Sequence, residues 1–149
     1  MAGINFDFEF GLTELLPSKQ NERESRSVEH FREVFNEQLP EGELAKKGFP
    51  SGGDFFVAII QFFSSKQEYE LRDVDNMAKT LMDCLKGKIY KDDTQVRSLL
   101  STKRHYAKVP ANFLFLGVKM LKGDTDVGIV QSNIFDQAVT FYNSHKRAE

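Results

Sequence analysis

The sequence predicts a single domain of the α/β (α+β) class, in which helices pack on a mixed β-sheet. The chain has 149 residues, the length of one domain. Hydrophobic residues make up 40% of it and charged residues 28%, a globular balance that argues against disorder. The hydrophobic patterns follow one another in the order β-α-β-α-β-β-α. Helices that alternate with strands in this way are expected to cover a sheet.

The first part of the chain predicts one strand and one helix. Residues 4–10 alternate apolar and polar side chains, which is typical of a half-buried strand. A polar loop follows over residues 17–26. Either Ser25 or Ser27 then caps a helix that runs to about Leu39. The Gly- and Pro-containing residues after this helix predict a loop.

The middle of the chain predicts a buried strand followed by an amphipathic helix. Residues 54–63 are aromatic and β-branched almost throughout, which is typical of a central strand. Residues 64–71 are polar. A helix is predicted from about Val74 to Leu85, with Gly87 as its C′ residue.

The last part predicts two more strands and a final helix. The strands are expected at about 96–106 and 112–120, followed by a turn at 123–126. We expect one domain over residues 1–149, with residues from about 123 to 149 as a C-terminal helical extension. Its helix, over about 132–144, is expected to bury the apolar side chains of Ile134, Phe135, Ala138, Phe141 and Tyr142, of which Phe135, Phe141 and Tyr142 could instead serve a dimer contact.

The composition and the N-terminal sequence indicate in which cell compartment the protein is expected. Cys84 is the only cysteine, so an intramolecular disulfide is impossible. The N-terminus lacks the basic and apolar regions of a secretory signal, and no apolar run approaches the ~20 residues of a membrane span. We therefore expect a cytoplasmic protein without membrane contact. The Ser51-Gly52-Gly53 loop lacks the lysine of a phosphate-binding loop, so no nucleotide cofactor is expected.

The charge is distributed unevenly along the chain. The formal net charge is −2, yet residues 71–122 contain 5 acidic and 11 basic residues, giving +6 for this segment. These basic residues are either ordinary solvated side chains or a surface that faces phosphates. In particular, Lys103, Arg104 and Lys108 surround Tyr106 and could contact a DNA backbone.

Two aspartates and a lysine lie where the polar segment turns into the second predicted helix. Asp73 and Asp75 could both be caps that satisfy free N–H groups. Asp75 and Lys79 are four residues apart and share a helix face, either as a surface ion pair or as an ammonium beside a carboxylate cluster. In the second case Lys79 would stabilise charge on a phosphate in the transition state.

A second pair of aspartates, Asp92 and Asp93, follows this helix in a short loop. If these carboxylates converge with Asp73 and Asp75, they need a cation to offset their mutual repulsion. Carboxylate oxygens select hard ions, so the expected metal is Mg²⁺ or Mn²⁺. Such an ion activates water and polarises a phosphoryl group.

These residues form a compound motif that resembles the core of the RusA family of Holliday junction resolvases. The matching pattern is Asp73-Val-Asp-Asn-x-x-Lys79, then Asp83-x-Leu85, then Asp92-Asp93-x-Gln95-Val96. The resemblance is close from Arg72 to Val96. It implies a homodimer with a mixed α/β subunit that nicks two opposed strands of a four-way DNA junction with Mg²⁺.

Carried over residue by residue, the resemblance implies roles for individual side chains. Asp73, Asp75 and Asp93 would be the catalytic, metal-binding carboxylates, with Asp92 as a further candidate ligand. Lys79 would be the basic catalytic or phosphate-contacting residue. Arg72 would contact DNA.

The chain also departs from the family pattern, which keeps other functions open. It is longer than compact members, around Glu41–Gly53 and after Gly123, and slightly acidic where a junction binder is expected to be basic. The alternatives are a nuclease of flaps or forks, a junction-binding protein without cleavage, and an acidic metal-binding module without a DNA role. The intact Asp and Lys residues favour the enzyme, and the +6 segment favours DNA.

Overall fold

A computed structural model of the chain describes residues 5–17, 22–105, 112–122 and 140–144. Residues 140–144 are helical. No helix in these described ranges is long and apolar enough to cross a membrane. The other elements, in chain order, are β1 (Phe8–Leu12), α1 (Glu22–Gln38), α2 (Glu41–Lys46), β2 (Asp54–Phe63), α3 (Lys66–Glu70), α4 (Val74–Leu85), a 3-10 turn (Asp93–Gln95), β3 (Val96–His105) and β4 (Phe113–Leu121).

The strands form one mixed sheet in the order β1-β4-β2-β3. β1 and β2 both run antiparallel to β4, whereas β3 runs parallel to β2. Parallel neighbours need a crossover connection, because the chain must return to the same end of the sheet. This crossover contains α3 and α4, and both helices pack against β3. The predicted α/β (α+β) class with a mixed sheet and packed helices is confirmed.

β2 is one of the two inner strands and is buried on both faces. Phe55, Val57 and Ile59 point towards the helices and belong to the main apolar core. Phe56 and Ala58 point to the opposite face and are equally inaccessible. Burial on both faces explains why this strand has a nearly continuous apolar sequence instead of an alternating one.

The face of the sheet opposite to α3 and α4 is also partly apolar. The ring of Phe6 packs there against Phe56 and Phe115, with centroids 6.1 and 6.0 Å apart. Further along, Leu100 and Phe113 are substantially exposed, at 45% and 37%. This face therefore combines a small aromatic cluster with accessible apolar side chains.

The strongest sequence patterns predicted the elements closely. β2 and α4 have the predicted bounds, and β3 and β4 lie within one residue of theirs. β1 begins later than predicted, and α1 begins at Glu22 instead of after a serine cap. Two short polar helices, α2 and α3, lie in segments predicted as loop or irregular. α3 is stabilised by a cap, because the Ser65 hydroxyl accepts a hydrogen bond from the Glu68 N–H at 3.4 Å.

The predicted C-terminal helix lies mostly outside the described residues. Its end, 140–144, is helical as expected. The predicted burial of Phe141 and Tyr142 is wrong, because they are 71% and 59% exposed. A periodic apolar pattern identifies a helical face but does not say whether this subunit covers that face.

Candidate active site

The start of α4 carries three of the predicted site residues. Asp73 is the N-cap residue, with an extended backbone (φ −106°, ψ 137°). Asp75 lies in the first turn, where the helix dipole stabilises a carboxylate. Lys79 follows one turn later on the same side of the helix. The apolar side of α4 packs into the core, so Asp75 and Lys79 are both exposed.

Asp93 returns to α4 through a tight reversal of the chain. Gly87 has a φ of 82°, a left-handed conformation that glycine adopts readily, and its N–H donates to the carbonyl of Tyr90 at 2.7 Å. This confirms Gly87 as the C′ residue of the helix. The chain then passes through the 3-10 turn at Asp93 and enters β3.

The side chain of Gln95 fixes the loop that carries Asp93. Its Oε1 accepts hydrogen bonds from the backbone N–H groups of Lys91 at 2.8 Å and Asp92 at 3.1 Å. Its Nε2 donates to the carbonyls of Ser51 at 2.8 Å and Gly53 at 2.9 Å. One amide therefore ties the Asp93 loop to the segment that leads into β2.

Three predicted catalytic residues meet in one surface depression between α4, the Asp93 loop and β3. Its volume is about 340 Å³. An ammonium and several carboxylates lie there beside a short apolar floor, an arrangement that suits a phosphate group together with a cation. The lining residues are Asp75, Ala78, Lys79, Met82, Asp83, Asp93 and Leu99.

One oxygen of Asp93 lacks a hydrogen-bond partner. Its Oδ1 is buried and forms no hydrogen bond of ordinary geometry with the described residues. The nearby Tyr90 hydroxyl donates its single proton to the carbonyl of Met82 at 2.8 Å instead. Burial, followed by the negative charge of Asp93 and by the close approach of its carboxylate to the hydroxyl, raises the pKa of Tyr90 far above its ordinary value. Tyr90 is therefore a neutral phenol beside an unsatisfied carboxylate oxygen.

The donor set fits a hard divalent cation with few protein ligands. An unpartnered buried carboxylate oxygen is costly unless a cation or water satisfies it. Mg²⁺ is commonly held by one or two carboxylates, with substrate phosphate and waters as the other ligands. Asp75 and Asp93 supply two such groups. Asp73 does not line the depression, and the described residues contain no group of three or more His, Cys, Asp or Glu side chains arranged around a metal position.

Asp92 has structural contacts that Asp93 lacks. Its Oδ2 accepts a hydrogen bond from the Thr94 hydroxyl at 3.0 Å, and its Oδ1 lies 3.8 Å from the ammonium of Lys86. It does not line the depression. Of the two adjacent aspartates, the structure brings Asp93 to Asp75 and turns Asp92 towards its own loop.

Arg72 lies in a different environment from the one expected of a DNA contact. It is 8% exposed, and its Nε donates to the carbonyl of Leu16 at 2.9 Å. Its Nη1 donates to the carbonyl of Glu68 at 3.2 Å and forms an ion pair with the carboxylate of that residue. The guanidinium therefore points inward, and the expected contact of Arg72 with DNA stays a prediction.

The other predicted DNA-contacting residues differ in their exposure. The Lys103 ammonium donates to the carbonyls of Tyr69 at 2.9 Å and Arg72 at 2.8 Å, so it is also held internally. Arg104, on the opposite face of β3, is exposed. Lys108 lies outside the described residues.

The sequence interpretation gave no role to Asp83, Tyr90 or Gln95. Asp83 lines the depression and pairs with Arg32 of α1 at 3.5 Å. Its spacing of eight residues from Asp75 and four from Lys79 signals a shared helix face. Gln95 belongs to the motif, but two of its four hydrogen bonds are to residues more than 40 positions away, Ser51 and Gly53. No sequence signal marks the hydroxyl of Tyr90.

A comparison with known protein families identifies the family of this chain. No curated protein matches the chain. The family model for the endodeoxyribonuclease RusA matches residues 21–112, which is more than half of the chain and contains α1 to β3 with the whole depression. The chain therefore belongs to the RusA family of endodeoxyribonucleases.

Proposed function

We propose that this protein resolves four-way DNA junctions by paired, Mg²⁺-dependent nicks. The observation that carries the proposal is the convergence of Asp75, Lys79 and the unpartnered Oδ1 of Asp93 in one depression. Membership of an endodeoxyribonuclease family supports hydrolysis of DNA as the chemistry. Junction specificity, the metal and the recombination or repair role are our extension of it.

Asp75 and Asp93 are the proposed metal ligands. The cation, Mg²⁺ or Mn²⁺, would supply an activated water and polarise the scissile phosphate. Asp73 is the proposed third ligand. Its carboxylate is exposed, and among the described side chains it forms one hydrogen bond, which the Asn76 amide donates at 3.4 Å, and no ion pair. Such a weak contact leaves the side chain able to change rotamer.

Lys79 is the proposed phosphate-contacting residue. It lines the depression together with the carboxylates, and no carboxylate of the described residues lies within ion-pair distance of its ammonium. A positive charge there favours the developing negative charge on the phosphate more than the ground state. Lys79 and the exposed Arg104 are the proposed DNA contacts, with Lys108 as a further candidate. Arg72 and Lys103 are left out of the proposed surface because their cationic groups donate to backbone carbonyls of this subunit.

A homodimer would supply the two equivalent sites that paired nicking requires. A two-fold dimer uses the same patch on both subunits, and its core is apolar. Two candidate patches exist: Leu100 and Phe113 on the sheet, and Phe141 and Tyr142 in the C-terminal helical residues. Their exposure supports the proposal.

The test is cleavage of a labelled synthetic four-way junction, with and without Mg²⁺, by the wild type and a matched pair of variants. Asp93→Asn should lose cleavage, because it replaces the unpartnered carboxylate by a neutral amide of similar shape. Asp92→Asn, one residue away, should retain cleavage. The reverse result would overturn the assignment of Asp93. Equal cutting of flaps, forks and junctions would support the broader branched-DNA nuclease, and metal-independent binding without cutting would support a binding protein.

A further inference from the structure

We propose that Arg72 is a positioning residue which, together with Ser101 and Lys103, fixes the start of α4 and the carboxylates that it carries. These three residues are called the α4 anchor. The inference rests on the proposed nuclease function of Asp73 and Asp75. It gives Arg72 an effect on cleavage without a contact to DNA.

The side chain of Arg72 is directed into the protein. Its Nε and Nη1 donate to the carbonyls of Leu16 and Glu68, which belong to two separate connections in the chain. Its guanidinium carbon lies 5.8 Å from the centre of the Phe63 ring, at the end of β2. A planar guanidinium can satisfy these partners simultaneously, whereas a lysine ammonium has a different reach and geometry.

The Leu16 peptide is fixed from both sides by buried polar groups. Its carbonyl accepts from Arg72, and its N–H donates to the Oε1 of Gln61 at 3.2 Å. Gln61 and Leu16 are both fully buried. The residue immediately before Asp73 is thus connected to the segment after β1, 56 positions earlier in the chain.

β3 fixes the same point from the other side. The Lys103 ammonium donates to the carbonyl of Arg72 at 2.8 Å, and the Ser101 hydroxyl donates to the carbonyl of Val74 at 2.7 Å. These two carbonyls flank Asp73. Because Ser101 and Lys103 are two residues apart in one strand, they lie on one face of the sheet. The sheet therefore sets the position from which Asp73 and Asp75 project.

Positioning and phosphate contact predict opposite results for Arg72→Lys, which retains the positive charge. Under positioning, metal-free junction binding and its salt dependence stay as in the wild type. Cleavage at saturating junction then falls by up to about 10²-fold, because a small misplacement of ligands is sufficient. Exchange of the Met77 amide, which donates to the Asp73 carbonyl at 3.0 Å, becomes about tenfold faster as the first turn opens more often.

A phosphate contact gives a different set of results and would overturn the proposal. Arg72→Lys would then cut at the wild-type rate, and Arg72→Ala would reduce the slope of log affinity against log salt by about 0.9. Lys66→Gln, which removes an exposed charge from α3, is the matched control and should change no readout. If Arg72→Lys does not fold, Ser101→Ala takes its place, because it removes the bond to the Val74 carbonyl without changing a charge.

Wild-type exchange and cleavage in Ser101→Ala would also overturn the proposal. The exchange measurement separates this inference from the proposed function. A wild-type protein that cuts no branched DNA would end the nuclease proposal, whereas faster exchange of Met77 in the variants would still establish the anchor.

Discussion

The substitution Gln95→Ala should have two effects: it should destabilise the protein, and it should misplace Asp93. Gln95→Ala eliminates four hydrogen bonds of 2.8 to 3.1 Å that join Lys91 and Asp92 to Ser51 and Gly53. A typical bond contributes about 0.5–1.5 kcal/mol, and these groups are partly exposed, so the lower end applies. The four bonds then amount to about 2–3 kcal/mol of unfolding free energy. For a chain of this size the melting temperature should fall by roughly 5–10 °C.

Gln95→Glu is the informative partner of that variant. The glutamate can still accept from the two backbone N–H groups, but it can no longer donate to the two carbonyls. It also adds a negative charge beside Asp92 and Asp93. We expect a stability loss at least as large as that of the alanine variant, and lower cleavage in both. Urea unfolding gives the first quantity, and the four-way junction assay gives the second. A change below about 0.5 kcal/mol with wild-type cleavage would refute the role given to Gln95.

Four further variants test charged and ionisable side chains. Asp75→Asn should lower cleavage by orders of magnitude, while junction binding without Mg²⁺, measured by gel shift, survives or tightens because one negative charge near the phosphates is lost. Wild-type cleavage would exclude Asp75 as a ligand. Lys79→Ala should lower both cleavage and affinity, whereas Arg104→Ala should mainly flatten the salt dependence of binding by about one phosphate contact. If the slope of log affinity against log salt is unchanged in Arg104→Ala, the DNA-binding surface lies elsewhere. The pKa of Tyr90 is higher in the folded protein than its ordinary value of 10.0, so the neutral phenol stabilises the native state. This contribution to the free energy of unfolding is fully present below pH 10 and is lost as the pH rises through the pKa of the folded protein. Urea titrations above pH 10 should therefore show a steeper loss of stability in the wild type than in Tyr90→Phe, and parallel curves would contradict this.

Local patterns were sufficient for the elements that carry the site. The apolar run of β2 and the amphipathic stripe of α4 follow periodicities that few alternatives satisfy. The i, i+4 spacing predicted that Asp75 and Lys79 share a face, and the structure places them in one depression. Asp93 could be predicted only from the motif. It lies 18 positions after Asp75, and no local spacing rule brings a residue that far along the chain back to the same helix.

Tertiary contacts decided what local patterns could not. Arg72 and Arg104 are both basic residues in the same +6 segment, yet one is buried and the other exposed. The difference depends on Leu16, a distant residue whose carbonyl only the fold brings to Arg72. Asp92 and Asp93 are indistinguishable by type, and the turn before β3 alone separates their environments. Short polar helices such as α3 lack an apolar stripe from which they could be predicted.

The parallel crossover between β2 and β3 has a consequence for how the molecule is made. Asp75, Lys79, Asp83 and Asp93 all lie within this one connection, but the two strands that bracket it pair only after a long stretch of chain has closed into a loop. Contacts between distant residues form slowly, because the chain must lose entropy before they stabilise it. A nascent or partly folded chain can therefore contain a finished α4 without having Asp93 beside it. Cleavage competence should appear only when the β2–β3 ladder closes, so intermediates that reach DNA early would be inert.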